Sequence, residues 1–316
     1  MRIVFIGSGR FAIPSFLALL DAGHDVPALV TQPDRERGRG QALAPPPIKP
    51  VAERRGIRVL QPRRVREPEA REALRRLEPE LQVVVAFGQI LPRDVIDAAP
   101  RGTVNVHASL LPKLRGAAPI QWAIARGEAE TGVTTMLIDE GLDTGPLLLA
   151  RSTPIGPEET AAELEPRLAR LGAEVLLATV SGLADGTLVP VPQEAARATL
   201  APILKKEDGR IDWSTPATSI ACRSRGFFPW PGTFTLHEGR LLKVLRARAE
   251  RRERMEPGYA AGAAGAVVAV SSDGVVVACG EGTGLRLLEV QPESRRAMPA
   301  SAWAAGARVH AGARLG

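Results

Sequence analysis

Residues 2–6 (RIVFI) form a continuous apolar run, the pattern of a strand covered on both faces. Residues 10–22 then carry apolar side chains at helical spacing and stop before Gly23. The alternation continues. VPALVT (26–31), IRVL (57–60), LQVVVA (81–86) and TVNVH (103–107) read as strands, with helices expected over 66–78 and 117–126. Strands follow at VTTMLI (133–138) and 147–153, and a long helix at 158–182. Strands alternating with helices predict an α/β unit with a parallel, helix-covered sheet.

The pattern then changes. Residues 189–208 (VPVPQEAARATLAPILKKED) are Pro-rich and mixed, and read as a linker. Beyond them, 241–248 and 285–290 alternate, and VVAV-SSDG-VVVACG (267–280) predicts a hairpin with Asp273 and Gly274 at its tip. Several short strands in so small a module predict a barrel. The expected organisation is a catalytic domain over 1–188, a linker over 189–208 and a barrel domain over 209–316.

A chain of 316 residues that is 45% hydrophobic and 24% charged has ample core for two domains. It lacks the apolar run of about 18 residues that a membrane-spanning helix needs. The start, MRIVFIGSG, reads as a buried strand rather than a signal peptide. Cys222 and Cys279 match no metal spacing and read as reduced thiols in a cytoplasm. No metal is expected, and no apolar stripe is left over for a partner subunit, so a monomer is expected. The net charge of +6 lies wholly in residues 209–316, which carry 15 basic against 9 acidic side chains. That excess has two readings, a polyanionic partner or an Arg-rich solvated surface.

GSGRFA (7–12) fits a dinucleotide-binding turn, but the second strand ends in TQPD, with Asp34 running into an Arg/Gly loop. A ribose-binding acid belongs directly at that strand's end, so the plainer reading is a tight strand-to-helix turn. In the loop DRERGRGQALA (34–44), glycines separate Arg35, Arg37 and Arg39. Such a segment suits ordering on phosphate, and equally suits a solvated surface loop.

NVHASLLP (105–112) is the stretch richest in chemistry. Alternation puts Asn105 and His107 on one face at a strand's C-terminal end, where ligands bind in such sheets. An amide beside an imidazole can donate to a developing oxyanion. His107 alone also fits a hydrogen-bonded core residue. A distal acid, Asp143 in DEGLDTG (139–145), adds a group that would favour the charged imidazole and could relay a proton from an attacking amine. No Ser or Cys has a credible base, so direct attack is expected rather than a covalent enzyme intermediate.

Asn-x-His, SLLP and the GLDTG acid, in that order, resemble the folate-dependent formyltransferases, most closely the branch acting on methionyl-tRNA. The likeness spans nearly the whole chain: TQPD with GRG (31–40), AFGQILP (86–92), NVHASLLPKLRGAAPIQWAI (105–124), TGVTTMLIDEGLDTGPLL (131–148), KKEDGRIDWS (205–214) and FPWPGTF (228–234). It implies a Rossmann-like formyltransferase domain and an OB-like C-terminal barrel that binds tRNA. It implies formyl transfer from 10-formyltetrahydrofolate to the methionine amine of initiator methionyl-tRNA, for translation initiation. Asn105, His107 and Asp143 match the family's catalytic trio. Phe87, Gly88, Ile90 and Leu91 match its folate-lining loop, and Ser109, Leu110, Leu111 and Pro112 form a turn that walls the same site. Arg35, Arg37 and Arg39 lie in the loop that would order on tRNA.

Two departures stand out. GRGQAL lacks the lysines that often follow GRG, which would weaken phosphate contacts. Phe228 stands where an Asn often precedes PWPG. The rivals are a formyltransferase for a sugar-nucleotide amine, a hydrolase of the same folate, a catalytically dead RNA-binding protein and a dinucleotide oxidoreductase.

Overall fold

The computed structural model describes residues 1–37, 42–250 and 263–316. By internal contacts the chain divides into two units. The first comprises Met1–Pro119, Glu130–Pro154 and Leu164–Pro202; the second comprises Ile120–Ala129, Ile155–Glu163 and Ile203–Gly316.

The first unit is built on a seven-stranded sheet. Its elements are β1 (Ile3–Gly7), α1 (Ala12–Asp21), β2 (Ala28–Val30), the short pair β3 (Arg35–Arg37) and β4 (Ala42–Ala44), α2 (Lys49–Arg54), β5 (Arg58–Leu60), α3 (Pro68–Arg75), β6 (Leu81–Val85), α4 (Arg93–Ile96) and β7 (Thr103–His107). They continue with β8 (Glu130–Leu137), β9 (Leu147–Pro154) and, from Leu164 on, α6 (Ala161–Ala184), while the intervening α5 (Pro119–Ala125) belongs from Ile120 on to the second unit. The strand order is β5-β2-β1-β6-β7-β8-β9. β1 and β6 are buried at every position, which is why they read as unbroken apolar runs. From β1 the chain winds outward to β2 and β5, then returns to β6 and β7 on the other side. The crevice where the order reverses lies at the C-terminal ends of β1 and β6.

Five strands are parallel, as expected. β8 pairs antiparallel with β7, and β9 antiparallel with β8, so the parallel sheet of the sequence reading carries two antiparallel strands at one edge. Apolar periodicity fixes which side chains are buried but carries no strand direction. The loop over 34–44 also differs: Arg35–Arg37 pairs with Ala42–Ala44 as a β-ribbon. Residues 189–202, expected as linker, are hydrogen-bonded into the first unit. Val191 exchanges two backbone bonds of 2.8 Å with Leu147, and Arg115 and Ala201 are joined by one of 2.7 Å.

The second unit contains α7 (Ala217–Gly226), β10 (Thr233–His237), β11 (Arg240–Ala249), β12 (Val267–Ser271), β13 (Gly274–Cys279), β14 (Thr283–Pro292), β15 (Met298–Pro299) and α8 (Ala300–Gly306). The strands run β10-β11-β14-β13-β12, all antiparallel, with the expected hairpin turning at Ser272 and Asp273. The last residues complete the expected barrel. Leu315 N–H donates to the Gly265 carbonyl (2.8 Å) and Gly316 N–H to the Leu236 carbonyl (3.0 Å), so the tail spans the gap between the two edge strands. Closure of this kind removes exposed sheet edges. Inside lie Trp213, Leu242, Val244, Val275, Val277, Leu285, Leu287 and Trp303. Ile120–Ala129 joins this unit because Gly226 lets the backbones meet and Phe227 packs edge-on to Trp122, with centroids 5.4 Å apart.

Cys279, at 5% exposure, faces this core, and burial pushes its thiol up to about 12. At pH 8 it is therefore protonated and shielded. Cys279 is expected to stay unlabelled by iodoacetamide in the native protein and to label fully in denaturant, as peptide mass mapping will show.

Candidate active site

β7 alternates, and Asn105 and His107 leave it on the same face. His107 is buried (6% exposed), and its Nε2 lies 3.0 Å from the Leu114 carbonyl oxygen. A carbonyl only accepts, so Nε2 carries hydrogen. Nδ1 is left facing the Asp143 carboxylate, 3.7 Å from Oδ2. The Asn105 amide nitrogen reaches Asp143 Oδ1 at 3.5 Å. Residues 38 positions apart in sequence thus bring an amide, an imidazole and a carboxylate to one place.

The loop carrying Asp143 is shaped by its own sequence. Asp139 Oδ1 accepts from the Gly141 N–H (3.0 Å) and the Thr144 hydroxyl (2.6 Å), closing the turn. Asp143 takes left-handed backbone geometry, with φ of 51°. Gly145 admits no side chain, since a Cβ there would stand 1.8 Å from the Leu137 carbonyl oxygen. The second oxygen of Asp143 is held by the Gly116 N–H at 2.8 Å. Gly116 has φ of +120°, and a Cβ on it would meet the Ala201 carbonyl at 2.7 Å. Both its conformation and its surroundings therefore demand glycine.

Comparison with known proteins places the chain in a family. The formyl transferase family pattern matches residues 1–180, and the formyl transferase C-terminal domain pattern matches residues 203–308. Methionyl-tRNA formyltransferase of Solibacter usitatus is 52% identical over 316 residues, covering 100% of this chain and 99% of that one. The enzyme of the same name from Myxococcus xanthus is 49% identical over 98% of this chain and 96% of its own. The chain belongs to the methionyl-tRNA formyltransferase family. Among solved structures, an N-formyltransferase from Helicobacter canadensis complexed with folinic acid and dTDP-3-aminofucose has the same fold. Its TM-score is 0.67 at 16% identity, over 92% of this chain and 98% of that one. HypX from Aquifex aeolicus, solved with tetrahydrofolic acid, gives 0.62 at 17% identity, over 96% of this chain and 47% of that one.

Members of this family draw their formyl group from 10-formyltetrahydrofolate, and the expected folate-lining residues fall into two sets. In the loop after β6, Phe87 and Leu91 are buried in the hydrophobic core. Ile90 is 91% exposed, and Gly88 turns the chain with φ of 78°. Leu142, beside Asp143, is also exposed. Ile90 and Leu142 thus offer exposed apolar surface on which a flat ring could lie, whereas Phe87 and Leu91 have their side chains turned into the core and could meet a folate only through backbone groups. In the turn after β7, Ser109 and Leu111 are buried. Ser109 Oγ donates to the Lys113 carbonyl (2.6 Å), and the Thr134 hydroxyl bridges the Ser109 carbonyl and the Leu111 N–H. The side chains of Ser109 and Leu111 are therefore taken up inside the protein, while those of Leu110 and Pro112 keep some exposed surface.

Arg35 donates to the Gln32 side chain (2.9 Å), which in turn donates to the Phe87 carbonyl (2.9 Å). Arg37 lies on β3, and Arg39 lies outside the described residues. Asp34 binds Gln61 (2.7 Å) and Lys49 (2.8 Å), and these bonds, Gln61's first, hold its carboxyl below the usual range. Its carboxylate is thus already engaged by protein groups. Among the described residues no group of three or more His, Cys, Asp or Glu could hold a metal, and no helix is long and apolar enough to cross a membrane.

Sequence reasoning missed the supports. The Leu114 carbonyl and Gly116 lie inside the long match NVHASLLPKLRGAAPIQWAI, but nothing there distinguishes their roles. Gln193 gave no signal at all. It sits in the stretch read as linker, yet its amide reaches the Asp143 and Gly145 carbonyls.

Proposed function

We propose that this chain formylates initiator methionyl-tRNA in the cytoplasm, as a monomer, with Asn105, His107 and Asp143 as its reactive group. The methionine amine, as the free base, attacks the formyl carbon of 10-formyltetrahydrofolate. The carbonyl π pair moves to oxygen and gives a tetrahedral oxyanion. The Asn105 amide and the charged form of His107 stabilise that oxyanion. Asp143 pairs with the charged imidazole and accepts the proton that the attacking nitrogen sheds. Collapse re-forms the carbonyl and breaks the bond to N10, which takes up the proton that Asp143 had accepted and leaves as tetrahydrofolate, so the carboxylate is regenerated. Much of the acceleration comes from holding two reactants before donors already in place.

The observation that carries this reading is the meeting of Asn105, His107 and Asp143 within 3.5 to 3.7 Å in a chain that shares about half its residues with methionyl-tRNA formyltransferases along its full length. The 15 basic against 9 acidic residues of 209–316, with Arg35, Arg37 and Arg39, supply charge for the tRNA backbone.

The test is single-turnover formylation of charged initiator and charged elongator methionine tRNAs. Fast transfer to the initiator alone is expected. Equal transfer to both would remove initiator selectivity. Transfer to a sugar-nucleotide amine but to neither tRNA would move the reading to the sugar branch.

A further inference from the structure

We propose that Gln193 is a positioning residue that fixes Asp143 in its reactive geometry. The proposal rests on the reading of Asp143 as part of the reactive group. Its backbone lies in the left-handed region, which a non-glycine residue keeps only when its surroundings over-determine it.

Gln193 supplies that restraint. Its Nε2 donates to the carbonyl of Asp143 itself (2.9 Å) and to that of Gly145 (2.8 Å). Its Oε1 accepts from Nε (3.1 Å) and Nη2 (2.7 Å) of Arg115. The two amide hydrogens and both lone pairs are therefore used. Arg115 is the residue before Gly116, whose N–H holds the Asp143 carboxylate. A closed ring results: Gln193 grips the backbone of Asp143 and the side chain of Arg115, and the chain from Arg115 to Gly116 grips the Asp143 carboxylate. Arg115 is anchored in turn by its N–H to the Thr199 carbonyl (2.8 Å) and its carbonyl to the Ala201 N–H (2.7 Å). Residues 189–201 thus complete the site although none of them belongs to the reactive group.

Two substitutions separate positioning from plain stability. Gln193→Met keeps the volume and removes every hydrogen bond. Gln193→Glu keeps the acceptor for Arg115 but sets a carboxylate against two carbonyl oxygens. Both are expected to lower the single-turnover rate by about 10- to 100-fold, the usual cost of losing a group that orients a reactive ligand. The KM for folate and for tRNA is expected to stay within about 3-fold, because bound reactants are misaligned rather than released. In an Asp143→Asn background, Gln193→Met is expected to cause almost no further loss, since it acts through the carboxylate already removed. The proposal is overturned if Gln193→Met keeps its rate within about 2-fold, or if its loss is undiminished in the Asp143→Asn background. Near-normal turnover by Asp143→Asn itself would instead remove the catalytic reading beneath it.

Discussion

His107→Ala is expected to slow formyl transfer by about 10²- to 10⁴-fold, the range spanned by loss of a general acid or an oxyanion donor. His107 joins two parts of the site: Nε2 is tied to Leu114, and Nδ1 faces Asp143. Alanine removes the donor and leaves the Leu114 carbonyl without its partner. An orphaned buried acceptor costs about 1–3 kcal/mol. For a domain of this size each kcal/mol lowers Tm by roughly 2–4 °C, so the variant is expected to be folded at 25 °C. Single-turnover rates alongside calorimetry separate the two effects. A variant that turns over near the normal rate would exclude His107 from the chemistry.

Gly116→Ala is the second large effect, and it strikes stability and rate together. The added Cβ would stand 2.7 Å from the Ala201 carbonyl, at a φ of +120° that L-residues avoid. Backbone must move to relieve the contact, at a cost of about 2–4 kcal/mol. The N–H that holds Asp143 moves with it, so a rate loss of at least about 10-fold is expected even where the protein is fully folded. Gly23→Ala provides the comparison. Gly23 also has positive φ, at +77°, but its Cβ would meet nothing within 4 Å. It is expected to cost about 1 kcal/mol and leave the rate unchanged. Equal kinetics for the two variants would show that Gly116 has no role at Asp143.

The candidate site was legible where chemistry and local pattern coincide. Asn105 and His107 were readable because a strand alternates and their side chains are chemically distinctive. Asp143 stood out as an acid between glycines. The strands beside them were readable because each buries both faces. The antiparallel course of β8 was not legible, because apolar periodicity is the same in either direction. The ribbon at Arg35–Arg37 was missed because its ladder is made by main-chain groups that every residue carries. That Ser109 and Leu111 turn their side chains inward was also not legible, because loop sequence does not encode burial.

By itself the sequence determined which residues could do chemistry, that two modules exist, and where the excess positive charge lies. These follow from side-chain type, local periodicity and composition. Tertiary structure alone decided that Asp143 meets His107, that Gly116 and the Leu114 carbonyl hold them, and that Gln193 belongs to the site. Those contacts join segments from 7 to 78 residues apart. Several of them also use backbone atoms. Such contacts exist only once the chain has folded, and no residue type announces them in advance.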